Sequence, residues 1–199
     1  SLSVHHPQIR DFIKIKRDLT RVTGANISVR LSEEFMRAVR GGDPIQLRFP
    51  VDAKEPIVEE WVSAQDLWHE IVESAHASAE PGLLFWDTAK RMTPSDIYEA
   101  EGFGSTSTNP CGEIILSPYD SCRLMLVNLT SFVKNAWTDD AEFDFAHFGE
   151  VSQKAQRLMD DMIDLEIEKI DKILAKIETD PETSDAKQPE INLWNTVRA

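Results

Sequence analysis

The sequence predicts an α/β fold with a helical carboxy-terminal part, and two patterns carry that reading. Through the first 130 residues, short β-rich runs alternate with stretches of helical periodicity, as in a succession of strand–helix units. From Phe145 to Ile177 the apolar residues instead recur at helical spacing opposite an acidic face. The scale is set by 199 residues, 41% of them hydrophobic, enough for one substantial core or for part of a larger one.

In chain order, Asn26–Leu31 is a β-rich run, and Ser32-Glu33-Glu34 has the composition of a helix start before Phe35, Met36 and Val39. Gly41-Gly42 ends that helix, and Ile45–Phe49 is a second short strand. Ser63 caps a longer helix over residues 64–79, with Leu67, Trp68, Ile71, Val72 and Ala75 on one side. Pro81-Gly82 stops it before a buried strand at Leu83–Trp86. A polar, Gly/Ser/Thr-rich segment over 101–110 leads to a turn, and Leu124–Leu129 is again strand-like. The apolar series from Phe148 to Ile177 predicts two helices broken near Leu165, and 188–199 starts another.

Composition narrows the function classes. A net charge of −14 argues against non-specific DNA or RNA binding, which needs clustered Lys and Arg to neutralise phosphates. It leaves room for a phosphorylated small molecule in a local basic pocket. No apolar run approaches the ~18 residues of a membrane span, and Ser1–His6 lacks the pattern of a secretory signal. Two cysteines are too few for a disulfide framework and point to a reducing, cytoplasmic setting; without a secretory signal, Asn26-Ile27-Ser28 and Asn128-Leu129-Thr130 are read as chance sequons.

The strongest chemical signal is Ser107-Thr108-Asn109-Pro110-Cys111-Gly112-Glu113, with the second cysteine at Cys122. In an extended segment residues two apart share a side, which would present the Asn109 amide, the Cys111 thiol and the Glu113 carboxylate together. A sulfur between an amide and a proton-accepting carboxylate is a plausible reaction centre; the competing reading is an ordinary surface turn. The loop Thr20-Arg21-Val22-Thr23-Gly24-Ala25-Asn26 combines a basic residue with backbone amides that suit an anion, or is a plain connection into the first strand. Asp160-Asp161-Met162-Ile163-Asp164 matches an acidic magnesium pattern, but Met162 and Ile163 belong to the apolar stripe, so it is read as a solvated helix face and no metal is expected. The histidines His5, His6, His69, His76 and His147 show no metal-ligand spacing.

Taken in order, these segments resemble the catalytic chain of ribonucleotide reductase, most closely the adenosylcobalamin-dependent class II form. The resemblance is carried by Asp18–Val29, by Ala79–Asp87, by Ser107–Glu113, by Ser121-Cys122 with Asn128-Leu129, and by Met159-Asp160-Asp161. It implies a ten-stranded α/β barrel, of which this chain would be an internal portion holding about half. Strand–helix units with a specificity loop near 19–26 would occupy residues 1–100, a finger loop with the radical cysteine 101–135, and a helical segment 145–199.

By that resemblance Cys111 becomes a thiyl radical that abstracts the ribose 3′ hydrogen, Glu113 takes the 3′-hydroxyl proton and Asn109 orients the substrate, with Ser107 and Thr108 beside it. Cys122 is one member of the redox pair that reduces the 2′ carbon. Thr20–Asn26 matches the loop that relays an ATP or deoxynucleotide effector to the substrate base. The implied cofactor is adenosylcobalamin, with no binding residue identified here. The implied partners are a ribonucleotide, the remaining segments of the catalytic chain and, when complete, a second copy.

The chain departs from the family at Arg123-Leu124-Met125-Leu126 after Cys122, and at Ile115 where proline is frequent. The partner cysteine and the phosphate-binding strands are expected outside these residues, so the chain is expected to be inactive alone. Two other classes stay open: a non-catalytic interaction module of the same fold, and a thiol acyl-transferase using Cys111 with a histidine base.

Overall fold

Ile27, Val29 and Leu31 alternate with Ser28 and Arg30, and the computed structural model, which describes residues 1–198, turns that alternation into two unlike faces of a sheet. The elements up to Pro118 form one compact unit. They are β1 (Leu2–Ser3), α1 (Ile9–Lys14), β2 (Ser28–Leu31), α2 (Glu33–Gly41), β3 (Pro44–Phe49), β4 (Val58–Ser63), α3 (Ala64–Ser78), β5 (Gly82–Phe85), α4 (Trp86–Met92), β6 (Ser107–Thr108) and β7 (Ile115–Leu116). β2 lies between β1 and β5 in a three-stranded parallel sheet, with Val29 opposite Leu2 and Leu83, and Arg30 opposite Ser3 and Leu84. β3 and β4 form an antiparallel hairpin from Pro44↔Ser63 to Phe49↔Val58.

The core lies on the Val29 and Leu31 face. It joins Val4, Ile9, Ile13, Phe35, Ile45, Leu47, Leu67 and Ile71, all nearly or fully buried. Each such side chain contributes about 1.5–3 kcal/mol relative to an exposed one, so this cluster is what holds α1, α2 and α3 against the sheet. The opposite face carries Ser28, Arg30, Gly82 and Leu84. Gly82 lets the two strands close up there, since a Cβ at that position would stand 2.8 Å from the Ser28 hydroxyl.

Both sequence-predicted caps form. Ser32 accepts from the Phe35 amide at 3.0 Å and Ser63 from the Asp66 amide at 3.1 Å, each satisfying an orphan donor of the first helical turn. Gly42, at φ +74°, ends α2 in the left-handed region that glycine enters without penalty.

His5, 3% exposed, links β1 to the Ser32 cap. Its Nδ1 lies 3.1 Å from the Gln46 carbonyl, which can only accept, so Nδ1 carries the proton. Nε2 then accepts from the Ser32 hydroxyl at 2.7 Å. Burial pushes the His5 pKa below its usual value and outweighs the opposing pull of the Gln46 carbonyl and the Glu34 carboxylate. A base with a depressed folded pKa binds fewer protons folded than unfolded, so its contribution to stability is present above the unfolded value of about 6.5 and is lost as pH falls below it. We expect the urea midpoint to fall between pH 7 and 5 by more in the wild type than in His5→Gln; parallel curves would contradict this.

From Tyr119 a second compact unit begins. A single turn of 3₁₀ helix, Leu129–Phe132, runs into β8 (Val133–Lys134), which pairs antiparallel with β9 (Glu142–Phe143). These precede α5 (Phe145–Thr179) and α6 (Ser184–Arg198). Phe132 is buried among Phe143, His147 and Phe148 at ring separations of 5.3–6.1 Å, a small aromatic core at the start of α5. None of the described helices is long and apolar enough to cross a membrane.

Three expectations are corrected. Residues 145–179 form one helix of 35 residues, not two, because nothing near Leu165 breaks a helix: the break lies in the apolar pattern, not in the backbone. Leu124–Asn128 is irregular, with Leu124 and Leu126 exposed; β-propensity makes no strand without a ladder partner. The strand at Gly82–Phe85 is not buried: Leu83 and Phe85 are 37% and 53% exposed, since β5 is an edge strand flanked only by β2. The fold is mixed α/β, and the described strands do not close into a barrel.

Candidate active site

Pro110 and Gly112 decide the shape of the thiol segment. The Gly112 amide donates to the Asn109 carbonyl at 3.1 Å, closing a four-residue turn with Asn first, Pro second and Gly last. Gly112 sits at φ +87°. The turn tips a hairpin in which Ser107 pairs with Leu116 and Thr108 with Ile115, and Asn109 and Ile114 continue the ladder.

The segment is a turn rather than an extended strand, so the condition under which the three side chains would share one side is not met. Asn109 is 6% exposed, whereas Cys111 and Glu113 are exposed at the tip. The Asn109 Oδ1 accepts from the Ile114 amide at 3.0 Å, leaving the Nδ2 hydrogens without a partner among the described residues. One oxygen of the amide is structural, and its nitrogen is left to donate. Thr108 is turned back on the backbone, its hydroxyl donating to the Asn109 carbonyl at 2.9 Å.

The hairpin rests on the Arg30 and Leu84 face of the sheet. A Cβ on Gly112 would meet Leu84 Cδ2 at 3.2 Å, and the Asn26 Nδ2 reaches to 3.9 Å from the Cys111 sulfur. Asn26 is the last residue of the predicted effector loop, so the fold brings that loop's end to the thiol. Just before the loop, Asp18 accepts from the Thr20 amide at 3.0 Å and from its hydroxyl at 2.6 Å. Those bonds hold the Asp18 carboxyl below its usual pKa. Val22 sits at φ +50°, a costly place for a β-branched residue. Thr20–Asn26 is exposed throughout, and among the described residues no hydrogen bond joins Thr20–Ala25 to the hairpin.

Cys122 is a half-buried free thiol in the second unit, next to Arg123, which pairs with Glu166 of α5. On the same helix Gln156 donates to Asp160, and Arg157 pairs with Asp161. Among the described residues the side-chain contact at the Cys111 sulfur comes from Asn26, and no histidine is paired with it. Sequence reading missed Arg30, whose Nη1 donates to the Thr106 carbonyl at 3.2 Å. It also missed Asp96, which accepts from the Ser105 amide at 2.9 Å and from its hydroxyl. For Arg30 the signal was its place in phase with Ser28, off the apolar face of β2.

A hairpin that presents an exposed thiol on the open face of a parallel sheet is the distinguishing feature of this α/β unit. The model of the ribonucleotide reductase barrel domain matches residues 1–180, and the chain belongs to that family. The chain is 33% identical over 184 residues to the vitamin B12-dependent ribonucleoside-diphosphate reductase of Thermoplasma acidophilum, covering 88% of this chain and 22% of that protein. With the enzyme of the same name from Mycobacterium tuberculosis the identity is 35%, covering 82% of this chain and 22% of the relative. With the vitamin B12-dependent ribonucleotide reductase of Streptomyces clavuligerus it is 30%, over 80% of this chain and 18% of the relative. The chain thus spans about a fifth of the length of the curated relatives it matches.

The double use of Asn109 is testable. Asn109→Ala strands the Ile114 amide and should lower stability by about 1 kcal/mol, whereas Asn109→Asp retains an acceptor and should lower it less at a pH low enough for its carboxyl to be neutral. Equal losses in urea unfolding would contradict the assignment.

Proposed function

We propose that this chain is part of an adenosylcobalamin-dependent ribonucleotide reductase, with Cys111 as the residue that carries the radical. The observation that most supports this reading is the exposed Cys111 thiol at the tip of a hydrogen-bonded turn, with the Asn109 amide donor two residues before it and the Glu113 carboxylate two residues after. A hydrogen-transferring sulfur has to reach its substrate without disturbing the fold, and a turn tip on a packed sheet does this.

When bound, adenosylcobalamin supplies the radical that Cys111 comes to carry. An exposed thiol fits that supply, since its hydrogen is open to abstraction; no residue of this chain is assigned to the corrin. The Cys111 sulfur then takes the hydrogen atom from the ribose C3′, forming S–H and leaving a carbon radical. Glu113 accepts the 3′-hydroxyl proton, and the Asn109 Nδ2 donates to the ribose to hold it in place. The 2′-hydroxyl departs as water with a proton from a thiol. Two thiols, Cys122 among them, supply two electrons and the hydrogen that C2′ gains and end as a disulfide, while Glu113 returns its proton to the 3′ oxygen. Cys111 finally returns a hydrogen atom to C3′.

Ser107 and Thr108 line the approach to this turn. The loop Thr20–Asn26 is assigned to effector sensing, and its Asn26–Cys111 contact is the physical reason: a shift of the loop moves a donor at the reacting sulfur. In this reading residues 101–135 are the finger loop of a ten-stranded barrel completed by other segments, in a cytoplasmic and dimeric enzyme.

Reduction at C2′ consumes two thiols. With Cys111 reserved for the radical, Cys122 is the one cysteine left among the 199 residues. The isolated chain, given adenosylcobalamin, dithiothreitol and a ribonucleotide, should therefore make no deoxyribonucleotide. The complete enzyme should do so, and Cys111→Ala should lower its rate at least about 10³-fold. Turnover by the isolated chain, or full activity of Cys111→Ala, would overturn the reading.

A further inference from the structure

Arg30 is a charged side chain on a face of the central strand, and its surroundings show what holds it there. Its guanidinium carbon lies 5.1 Å from the centroid of the Trp86 ring, and its Nη1 donates to the Thr106 carbonyl. Its Nε is buried without a partner, and among the described residues it forms no salt bridge. Burial pulls its pKa below the usual guanidinium value, with Asp52 opposing electrostatically. A partly desolvated cation is costly, and here the Thr106 carbonyl and the Trp86 ring are the contacts that offset the cost and hold the guanidinium in place.

Thr106 is where fixing matters. Its amide donates to the Leu116 carbonyl at 2.9 Å, the first rung of the hairpin that carries Cys111. Neighbouring Ser105 is gripped by Asp96, but Asp96 lies in the segment Pro94–Glu101 that leads straight into the hairpin. That grip fixes the local chain to itself and not to the sheet. At the base of the hairpin Arg30 ties it to β2; at the tip Asn26 reaches the Cys111 sulfur, and Leu84 stands where a Cβ on Gly112 would meet it. A hairpin of two-residue strands is marginal alone and takes its position from such anchors.

We infer that Arg30 is a positioning residue, a clamp from the central strand that fixes the base of the thiol hairpin and so sets where Cys111 stands. The relevance to catalysis rests on the reductase reading; the clamp itself does not. Hydrogen–deuterium exchange on the full chain tests the clamp. In Arg30→Met the amides of Asn109, Gly112 and Ile114 should exchange at least about tenfold faster, while those of α3 stay unchanged. Arg30→Gln, polar but too short to reach, carries the same expectation and decides the matter where the apolar variant does not fold. Arg30→Lys should recover part of the protection.

Unchanged hairpin exchange, or equal acceleration in α3, would overturn the clamp. In the complete enzyme the same variants should lower kcat about tenfold at nearly unchanged KM. An unaltered kcat would remove the positioning role. If Cys111→Ala stays active while exchange responds as expected, the reductase reading falls and the clamp stands.

Discussion

The parallel pairing of β2 between β1 and β5 is the constraint on which the rest of the first unit depends. A strand has a period of two, so its position in the middle of the sheet sorts its residues onto opposite faces. Val29 and Leu31 go to the face where the three helices bury their apolar sides, and Ser28 and Arg30 go to the other. One face becomes a core that does no chemistry. The opposite face stays open, lined by Arg30, Leu84 and the close approach at Gly82, and receives the thiol hairpin. A one-residue slip of β2 would exchange the two faces and remove both the core and the seat of the hairpin.

The hairpin adds little stability of its own. Its paired strands are two residues each, its turn is closed by one backbone bond, and its Asn109 side chain substitutes for a missing ladder acceptor. Such an element takes its position from what it touches, and here it touches the sheet at both ends. The sulfur and the neighbouring carboxylate remain exposed at the tip, a placement that supports the role proposed for Cys111.

Much of this was legible in the residues, because it rests on local rules. The Ser32 and Ser63 caps, the Gly42 stop and the alternation of Ile27, Val29 and Leu31 each follow from a single stretch of chain. What was not legible depends on distant partners. The run at Leu124–Leu129 has strand composition, but a strand exists only where a second one pairs with it. The break near Leu165 was inferred from side-chain pattern, while helix continuity is a backbone property that no proline or glycine there interrupts. At the site, the roles proposed for Asn109, Cys111 and Glu113 came from the motif and its ordered flanking matches. The turn geometry, the split use of Asn109 and the approach of Asn26 to Cys111 came only with the fold, since residues 85 apart in sequence leave no local signature. Arg30 was hidden for the same reason: its partner lies 76 residues further on.

The central claim is that the turn at Asn109–Glu113 is the place where a ribose is held for hydrogen transfer. A crystal structure of the complete protein with a bound ribonucleotide tests it most directly. The account predicts the ribose at the tip of the turn, with C3′ next to the Cys111 sulfur, the 3′-hydroxyl facing Glu113 and the Asn109 Nδ2 donating to the sugar while its Oδ1 stays bonded to the Ile114 amide. A ribose bound elsewhere, with Cys111 out of contact with it, would contradict the account.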